Sequence, residues 1–390
     1  MRTIKWGLGI IGVLIVLGLA GFFLFAPGIA ERSMNVVKDH APYPVSPEAQ
    51  ALHDSLVIGD LHADTLLWNR DLNDRHDQGQ VDFPRLIEGN VAIQVFTSVT
   101  KTPAGQNYEE NASDARDNVT LLAIGQLWPI RTWNSLFERA LYHAERLKQD
   151  AEQSNGAVRF VTTQAELDAV LEARANGETV VAALFGTEGG HPLEGDITNL
   201  DRLQDAGLRL MGLQHFFDNA LGGSLHGTGG GGLTDFGRDV VAEIETRPIV
   251  LDLAHSSQQV VRDVLAMTDM PVIVSHTGLH SHCEVVRNYP DELMKEIAAT
   301  GGVIGIGYWE DVTCDDSPAG IAATVKAAID AVGENAVTLG SDFDGAVTTS
   351  FDTSELAALT QAMLDAGITE SQIRKVAGEN MIRVLRARLD

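Results

Sequence analysis

The strongest constraint on this chain is an alternation that starts near residue 55 and runs to its C terminus. Short apolar runs rich in β-branched residues alternate with amphipathic stretches of helical length. The runs lie at 55–60, 91–98, 180–186, 209–214, 248–254, 271–275, 302–308 and 336–341. Each is nearly continuous and bounded by turn formers, the pattern of strands buried on both faces of a parallel sheet. Helical signals fill the intervals at 112–125, 134–153, 164–176, 199–206, 235–246, 257–267, 290–300, 320–332 and 354–366. A last helix over 370–388 opens on a capping box, Thr369 with Gln372, and carries the stripe Ile373, Val376, Ala377, Met381, Val384 and Leu385. Eight such units predict an α/β fold of the (β/α)8 TIM-type barrel class, with its site at the C-terminal ends of the strands. A doubly wound open sheet shows the same alternation, and periodicity does not separate the two.

The residues that follow the runs carry the chemistry. The first run ends in His62 and Asp64, two residues apart in Asp-Leu-His-Ala-Asp, so both side chains project to one side of an extended chain. Glu188 follows the third run, His215 the fourth, His255 the fifth, His276 the sixth and Asp342 the eighth. Imidazoles and carboxylates gathered at one level of a barrel suit a catalytic divalent metal, most often zinc. They are too many for one ion with an open position. Two ions sharing a bridging carboxylate use them better, holding a hydroxide between them and polarising an amide carbonyl. An unligated carboxylate must then carry the proton to the leaving amine, and Asp342 is positioned for that.

Residues 1–30 differ from the rest. Arg2 and Lys5 precede an apolar run from Trp6 to Phe25, followed by Ala-Pro-Gly. About 20 apolar residues span a bilayer, and basic residues before the run leave the remainder outside the cytoplasm. This predicts one N-terminal transmembrane helix, an uncleaved anchor; cleavage after Ala30, giving a secreted protein, is the rival reading. Residues 31–50, with Pro42, Pro44 and Pro47, read as a linker, and 51–390 as the catalytic domain. A formal net charge of −26 with no basic run argues against a nucleic-acid partner. Two cysteines, Cys283 and Cys314, are too few for a thiolate zinc site and can pair in an exported protein.

The motif series resembles a known family. Asp-Leu-His62-Ala-Asp64, Thr-Glu188-Gly-Gly-His, Asp-Leu-Ala-His255-Ser, Val-Ile-Val-Ser-His276-Thr, Val-Arg287-Asn-Tyr-Pro-Asp and Gly-Ser-Asp342-Phe-Asp-Gly are similar, in order, to motifs of the membrane (renal-type) dipeptidases. The closing Ala-Gly378-Glu-Asn380-Met-Ile-Arg-Val-Leu is similar as well. The resemblance implies an amidohydrolase-like barrel holding two zinc ions per chain, with manganese or cobalt as substitutes. His62 and Asp64 would bind one ion, His255 and His276 the other, and Glu188 would bridge them. It further implies that His215 contacts the substrate carbonyl and that Arg287 clamps the substrate carboxylate. Asp342 would be the acid/base beside the substrate amine. Cys283 and Cys314 fall where the family has a disulfide, and a homodimer is expected.

Some features depart from that pattern. Mammalian members carry a C-terminal lipid anchor, whereas this chain ends Arg-Ala-Arg-Leu-Asp; the N-terminal span in its place points to a bacterial envelope protein anchored in the inner membrane with a periplasmic barrel. The glycine-rich 222–232 lacks the Gly-Lys-Ser/Thr of a nucleotide loop and reads as a flexible segment near the site. His280 and His282 read as exposed loop residues. Residues 99–157 form a long insertion, a lid or a dimer contact. The functional expectation is a zinc-dependent dipeptidase. The alternative is another binuclear-metal amidohydrolase acting on N-acyl amino acids, lactones or phosphoesters.

Overall fold

All eight expected runs become strands in the computed structural model, which describes residues 2–390; the side chains of 2–9 and 11, and with them the basic Arg2 and Lys5, lie outside the described ones. The strands are Ile58–Ala63 (β1), Val91–Val99 (β2), Val181–Glu188 (β3), Leu208–Gly212 (β4), Val250–Asp252 (β5), Val272–Thr277 (β6), Val303–Ile306 (β7) and Val337–Leu339 (β8). Every residue of every one of them is buried, as strands covered by helices outside and filled by side chains inside must be. Neighbours pair in parallel from β8 through to β1 in order. The ring closes where Ala63 bridges Phe343: the Asp64 N–H donates to Phe343 O at 2.9 Å, and the Asp342 N–H to His62 O at 3.2 Å. The fold is the (β/α)8 barrel.

Close backbone approach explains two glycines. A Cβ on Gly340 would stand 1.7 Å from Ser275 O, so only glycine lets β8 turn inward there. A Cβ on Gly378 would stand 2.1 Å from Val57 O. The last helix meets that contact by widening into a π turn over Lys375–Glu379, between Glu370–Arg374 and Asn380–Arg388. The expected capping box at Thr369 and Gln372 is present.

Three local departures have identifiable causes. Of the helix expected over 112–125, only Val119–Gly125 forms. Upstream, Asn107 Oδ1 accepts from the Glu109 and Glu110 N–H groups, and Asp117 accepts from those of Thr102, Val119 and Thr120. These side chains satisfy the backbone that a helix would have used. An additional strand, Val158–Phe160, pairs with 181–183 of β3, just before β4 begins pairing at Phe185. It fills the wedge between two strands that splay apart.

The third concerns the N terminus. One helix covers Arg2–Met34 and runs through Pro27 without stopping there. The stretch 31–50 that follows is attached to the barrel. Val36–Val37 pairs in parallel with Thr348–Thr349, and Pro47–Asp54 is a helix capped by Ser46. Buried Glu31 meets the Arg70 guanidinium, which also donates to Asp344 Oδ2 at 2.6 Å. Asn35 Oδ1 accepts from the Ala346 N–H at 2.9 Å. Arg70 is thus a buried cation between two buried carboxylates, and removing it leaves both uncompensated. Arg70→Met is expected to destabilise the fold by about 3–5 kcal/mol, read as a lowered midpoint in denaturant or thermal unfolding; an unchanged midpoint would show that the triad adds nothing.

Candidate metal centre

Seven potential ligands converge where the strands end. His62 and Glu188 are the inward residues at the tips of β1 and β3, His276 lies on β6, and Asp64, His215, His255 and Asp342 stand just beyond β1, β4, β5 and β8. All seven are buried. The centre of the cluster is Glu188. Its Oε1 lies 3.5 Å from His62 Nε2, 3.1 Å from His255 Nε2 and 3.4 Å from His276 Nε2, and its Oε2 lies 3.0 Å from His215 Nε2. His62 Nε2 also faces Asp64 Oδ1 at 3.4 Å and Asp342 Oδ1 at 3.7 Å. Bonds of about 2.0–2.1 Å to a tetrahedral ion put its ligand atoms about 3.3 Å apart, so this spacing fits atoms that share divalent cations.

Electrostatics point the same way. Three buried carboxylates face one another, and Arg287 is the one guanidinium at their side. Burial works against a charged His62, but Asp64, Glu188 and Asp342 outweigh it and hold its pKa up at about 10. Burial raises the Asp342 carboxyl well above its ordinary range, and burial with Glu188 raises Asp64. Against burial, His215 and the hydrogen bonds of His255 and His276 hold Glu188 well below its range. Burial, with Arg287 adding to it, keeps His255 well below the usual histidine value, and burial with His62 does the same for His276. Neutral imidazoles and crowded carboxylates are the donor set that a cation relieves. Two buried candidate ligand atoms, His62 Nε2 and Glu188 Oε2, make no well-aligned hydrogen bond despite their close neighbours, and the Nε2 atoms of His255 and His276 face each other at 3.0 Å.

The supporting groups fix the ring orientations. The Ser275 hydroxyl donates to Asp252 Oδ2 at 2.6 Å, which leaves its lone pairs for His276 Nδ1 at 2.8 Å and His62 Nδ1 at 3.3 Å. Both rings then carry a proton on Nδ1; His276 presents a bare Nε2 to the cluster, and His62 would present one once a cation takes the place of its second proton. Asp64 is oriented by the Thr97 hydroxyl at 2.6 Å. His255 and Asp342 both adopt φ near the left-handed region, at 62° and 60°, a conformation that turns each side chain back over the barrel mouth. The glycine-rich 222–232 does not hang loose beside them. The Leu225 N–H donates to His255 O at 2.7 Å, and the Ser224 hydroxyl to His215 O.

Arg287 is buried with only one of its nitrogens engaged, Nη2, which donates to His276 O at 2.7 Å; Nε and Nη1 have no acceptor. The loop that carries it is tied by the Cys283–Cys314 disulfide, joining the segments after β6 and β7. His282 is exposed and His280 half-buried, and neither lines the cavity at the cluster. That cavity, of about 500 Å³, is also lined by Tyr108, Phe216 and Trp309, which the sequence reading missed. Trp309 Nε1 donates to the Tyr108 hydroxyl at 2.9 Å, and buried His226 stacks on Phe216. Trp309 had one usable signal: it follows the seventh run, at the same level as the histidines.

The family model for membrane dipeptidase (Peptidase family M19) matches residues 46–389. The chain belongs to the membrane dipeptidase family. Among curated relatives it is 28% identical to Dipeptidase aclJ of Aspergillus oryzae, over 87% of this chain and 80% of that protein. It is 32% identical to Dipeptidase verJ of Clonostachys rogersoniana, a match that spans 53% of this chain and only 55% of that protein. Its fold is similar to that of a metallo peptidase from Rhodobacter sphaeroides liganded with a phosphinate mimic of the dipeptide L-Ala-D-Ala, with TM-score 0.68, 24% identity, and 85% and 99% of the two chains covered. An amidohydrolase from Pseudomonas aeruginosa is similar too, with TM-score 0.67, 22% identity, and coverage of 87% and 98%. This dipeptidase-family chain is a metallopeptidase-type hydrolase, and its donor set fits the metal dependence that membership implies.

If Ser275 and Asp252 orient the two imidazoles, Ser275→Ala is expected to weaken metal binding about 10–100-fold with the fold intact. Competition against a chromogenic chelator measures this directly, and an unchanged affinity would remove Ser275 from the site's design.

Proposed function

We propose that this protein is a dizinc dipeptidase of the bacterial envelope, cleaving the one peptide bond of a substrate with a free amine and a free carboxylate. The observation that carries this reading is the convergence of four histidine nitrogens within 3.5 Å of the two oxygens of Glu188. In this reading His62 and Asp64 hold one ion, His255 and His276 the other, and Glu188 belongs to both. The ions supply Lewis acidity and lower the pKa of water.

The chain's own groups do the rest. Arg287 receives the substrate carboxylate: its Nε and Nη1 are buried cationic donors without acceptors, and a carboxylate satisfies a guanidinium fork in two hydrogen bonds. His215 presents Nε2 to the carbonyl oxygen of the scissile bond. Asp342, whose carboxyl burial raises well above its ordinary range, would take a proton from the attacking water on Oδ1 and deliver it to the departing amine nitrogen. Trp309 and Phe216 line the cavity, and their apolar surfaces limit how much water can screen these charges.

The N-terminal helix is proposed as an uncleaved anchor. Its segment Gly12–Met34 is long and apolar enough to cross a membrane, with mean hydropathy 2.4. The Glu31–Arg70 pair and the Asn35–Ala346 hydrogen bond give its end a fixed place on the barrel. Retention in the carbonate-washed membrane fraction at full mass is the expected result; a chain beginning at Glu31 would overturn the anchor.

The catalytic reading is tested by metal content and dipeptide turnover measured together. Two ions per chain are expected, with turnover of simple dipeptides. Asp342→Asn should lose about 10²–10⁴-fold in kcat with full metal content, and Arg287→Lys should act mainly on KM. Two ions with turnover of N-acyl amino acids but of no dipeptide would assign the chain to a different amidohydrolase chemistry.

A further inference from the structure

The catalytic cavity does not end at the barrel. Its inner end is lined by Glu188, His215, Arg287 and Asp342, and its outer end by Phe22, Ala26, Pro27, Ala30 and Met34 of the N-terminal helix. Leu67, Trp68, Leu121 and Leu122 face these from the barrel loops. We propose that the foot of this helix is the outer wall of the substrate site and selects dipeptides with a bulky apolar side chain.

The helix is seated for that role. Phe22, Ala26 and Ala30 follow one another at intervals of one turn, so they share one face, and all are half-buried. Leu24, Phe25 and Ile29 point the other way and are 72%, 63% and 64% exposed. Phe22 and Pro27 pack on Gly125, where an added Cβ would stand 3.3 Å from each. At the far end, Glu31 reaches Arg70, which itself pairs with Asp344, and Asn35 reaches Ala346. The foot therefore bridges the loops after β2 and β8, the two strands that flank β1 and its ligands.

Chemistry divides the cavity accordingly. The charged and imidazole groups gather at the inner end, Thr102, Gln106 and Asn118 add neutral polar groups from the barrel loops, and the helix contributes apolar side chains alone. A dipeptide whose polar ends are held by Arg287 and Asp342 has only its side chain left to meet this wall. Two alanines on the facing side leave room, and Phe22 closes it. A glycyl dipeptide gains nothing there. The inference rests on the dipeptidase reading and on the helix staying attached.

The test uses the full-length metal-loaded protein in lipid nanodiscs, with leucyl-leucine and glycyl-glycine as probes. Ala26→Trp should fill the wall and raise KM for leucyl-leucine about tenfold or more, with kcat/KM for glycyl-glycine within about twofold of wild type. Phe22→Ser, which opens the wall, should narrow the preference between the two dipeptides. Equal effects on both, or none, would overturn the proposal. A second readout does not depend on turnover. With Cys283 and Cys314 bonded to each other, Ala26→Cys carries the sole free thiol. Leucyl-leucine should slow its alkylation by a maleimide where glycyl-glycine does not. Protection without turnover by wild type would keep the wall and reject the peptidase; turnover without protection or KM change would keep the peptidase and reject the wall.

Discussion

Charge balance at the mouth of the barrel is the constraint on which the rest depends. Asp64, Glu188 and Asp342 are buried around His62, whose Nε2 lies 3.4, 3.5 and 3.7 Å from them, where carboxylates repel and water cannot relieve them. Protons or cations must offset that repulsion. His62 answers in part by holding a proton, and Arg287 in part by its proximity, but burial keeps the neighbouring His255 and His276 neutral. A divalent cation held there would replace the His62 proton with a stronger positive charge and leave Nε2 as a donor. Site and cofactor are thus one electrostatic problem.

A parallel barrel solves the geometric half of that problem cheaply. The seven candidate ligands come from the ends of six strands, β1 supplying both His62 and Asp64, so no single segment would have to fold around a metal, and backbone hydrogen bonding between strands sets the level of all of them. Orientation is handled by neighbours on adjacent strands. Ser275 on β6 and Asp252 on β5 form one unit that sets two rings at once, while Thr97 on β2 sets Asp64. Where the strand direction does not suffice, the chain accepts strain: His255 and Asp342 sit at positive φ, a cost of about 1–3 kcal/mol each that surrounding contacts must offset. The Leu225 to His255 hydrogen bond is one such contact.

What sequence reveals about this molecule follows from how local each feature is. The eight strands are legible because burial on both faces leaves an unbroken apolar run, and the candidate ligands are legible because all but Asp64 stand one or two residues past such a run. The helix expected at 112–118 fails because Asn107 and Asp117 compete for its backbone, a local cue that periodicity outweighed. Val158–Phe160 is too short to signal itself. Tyr108 and Trp309 meet across 201 positions of sequence, and no window contains both. The roles given to individual ligands came from resemblance; spacing alone yields the set and not its division.

The N-terminal helix shows the same limit in its sharpest form. Its composition announces a membrane segment, and composition says nothing about which face of a barrel such a segment meets. That is decided by Arg70, a residue with no apparent purpose in its own neighbourhood. It is buried between Glu31, from the helix, and Asp344, two residues beyond Asp342. An arginine so enclosed persists because two carboxylates depend on it, and those carboxylates belong to the N-terminal helix and to the loop after β8. One ion network thereby couples the position of the helix to the loop that carries the proposed proton carrier. Helix and candidate site are parts of one structure, and the placing of the helix on the barrel follows from the electrostatics of three side chains.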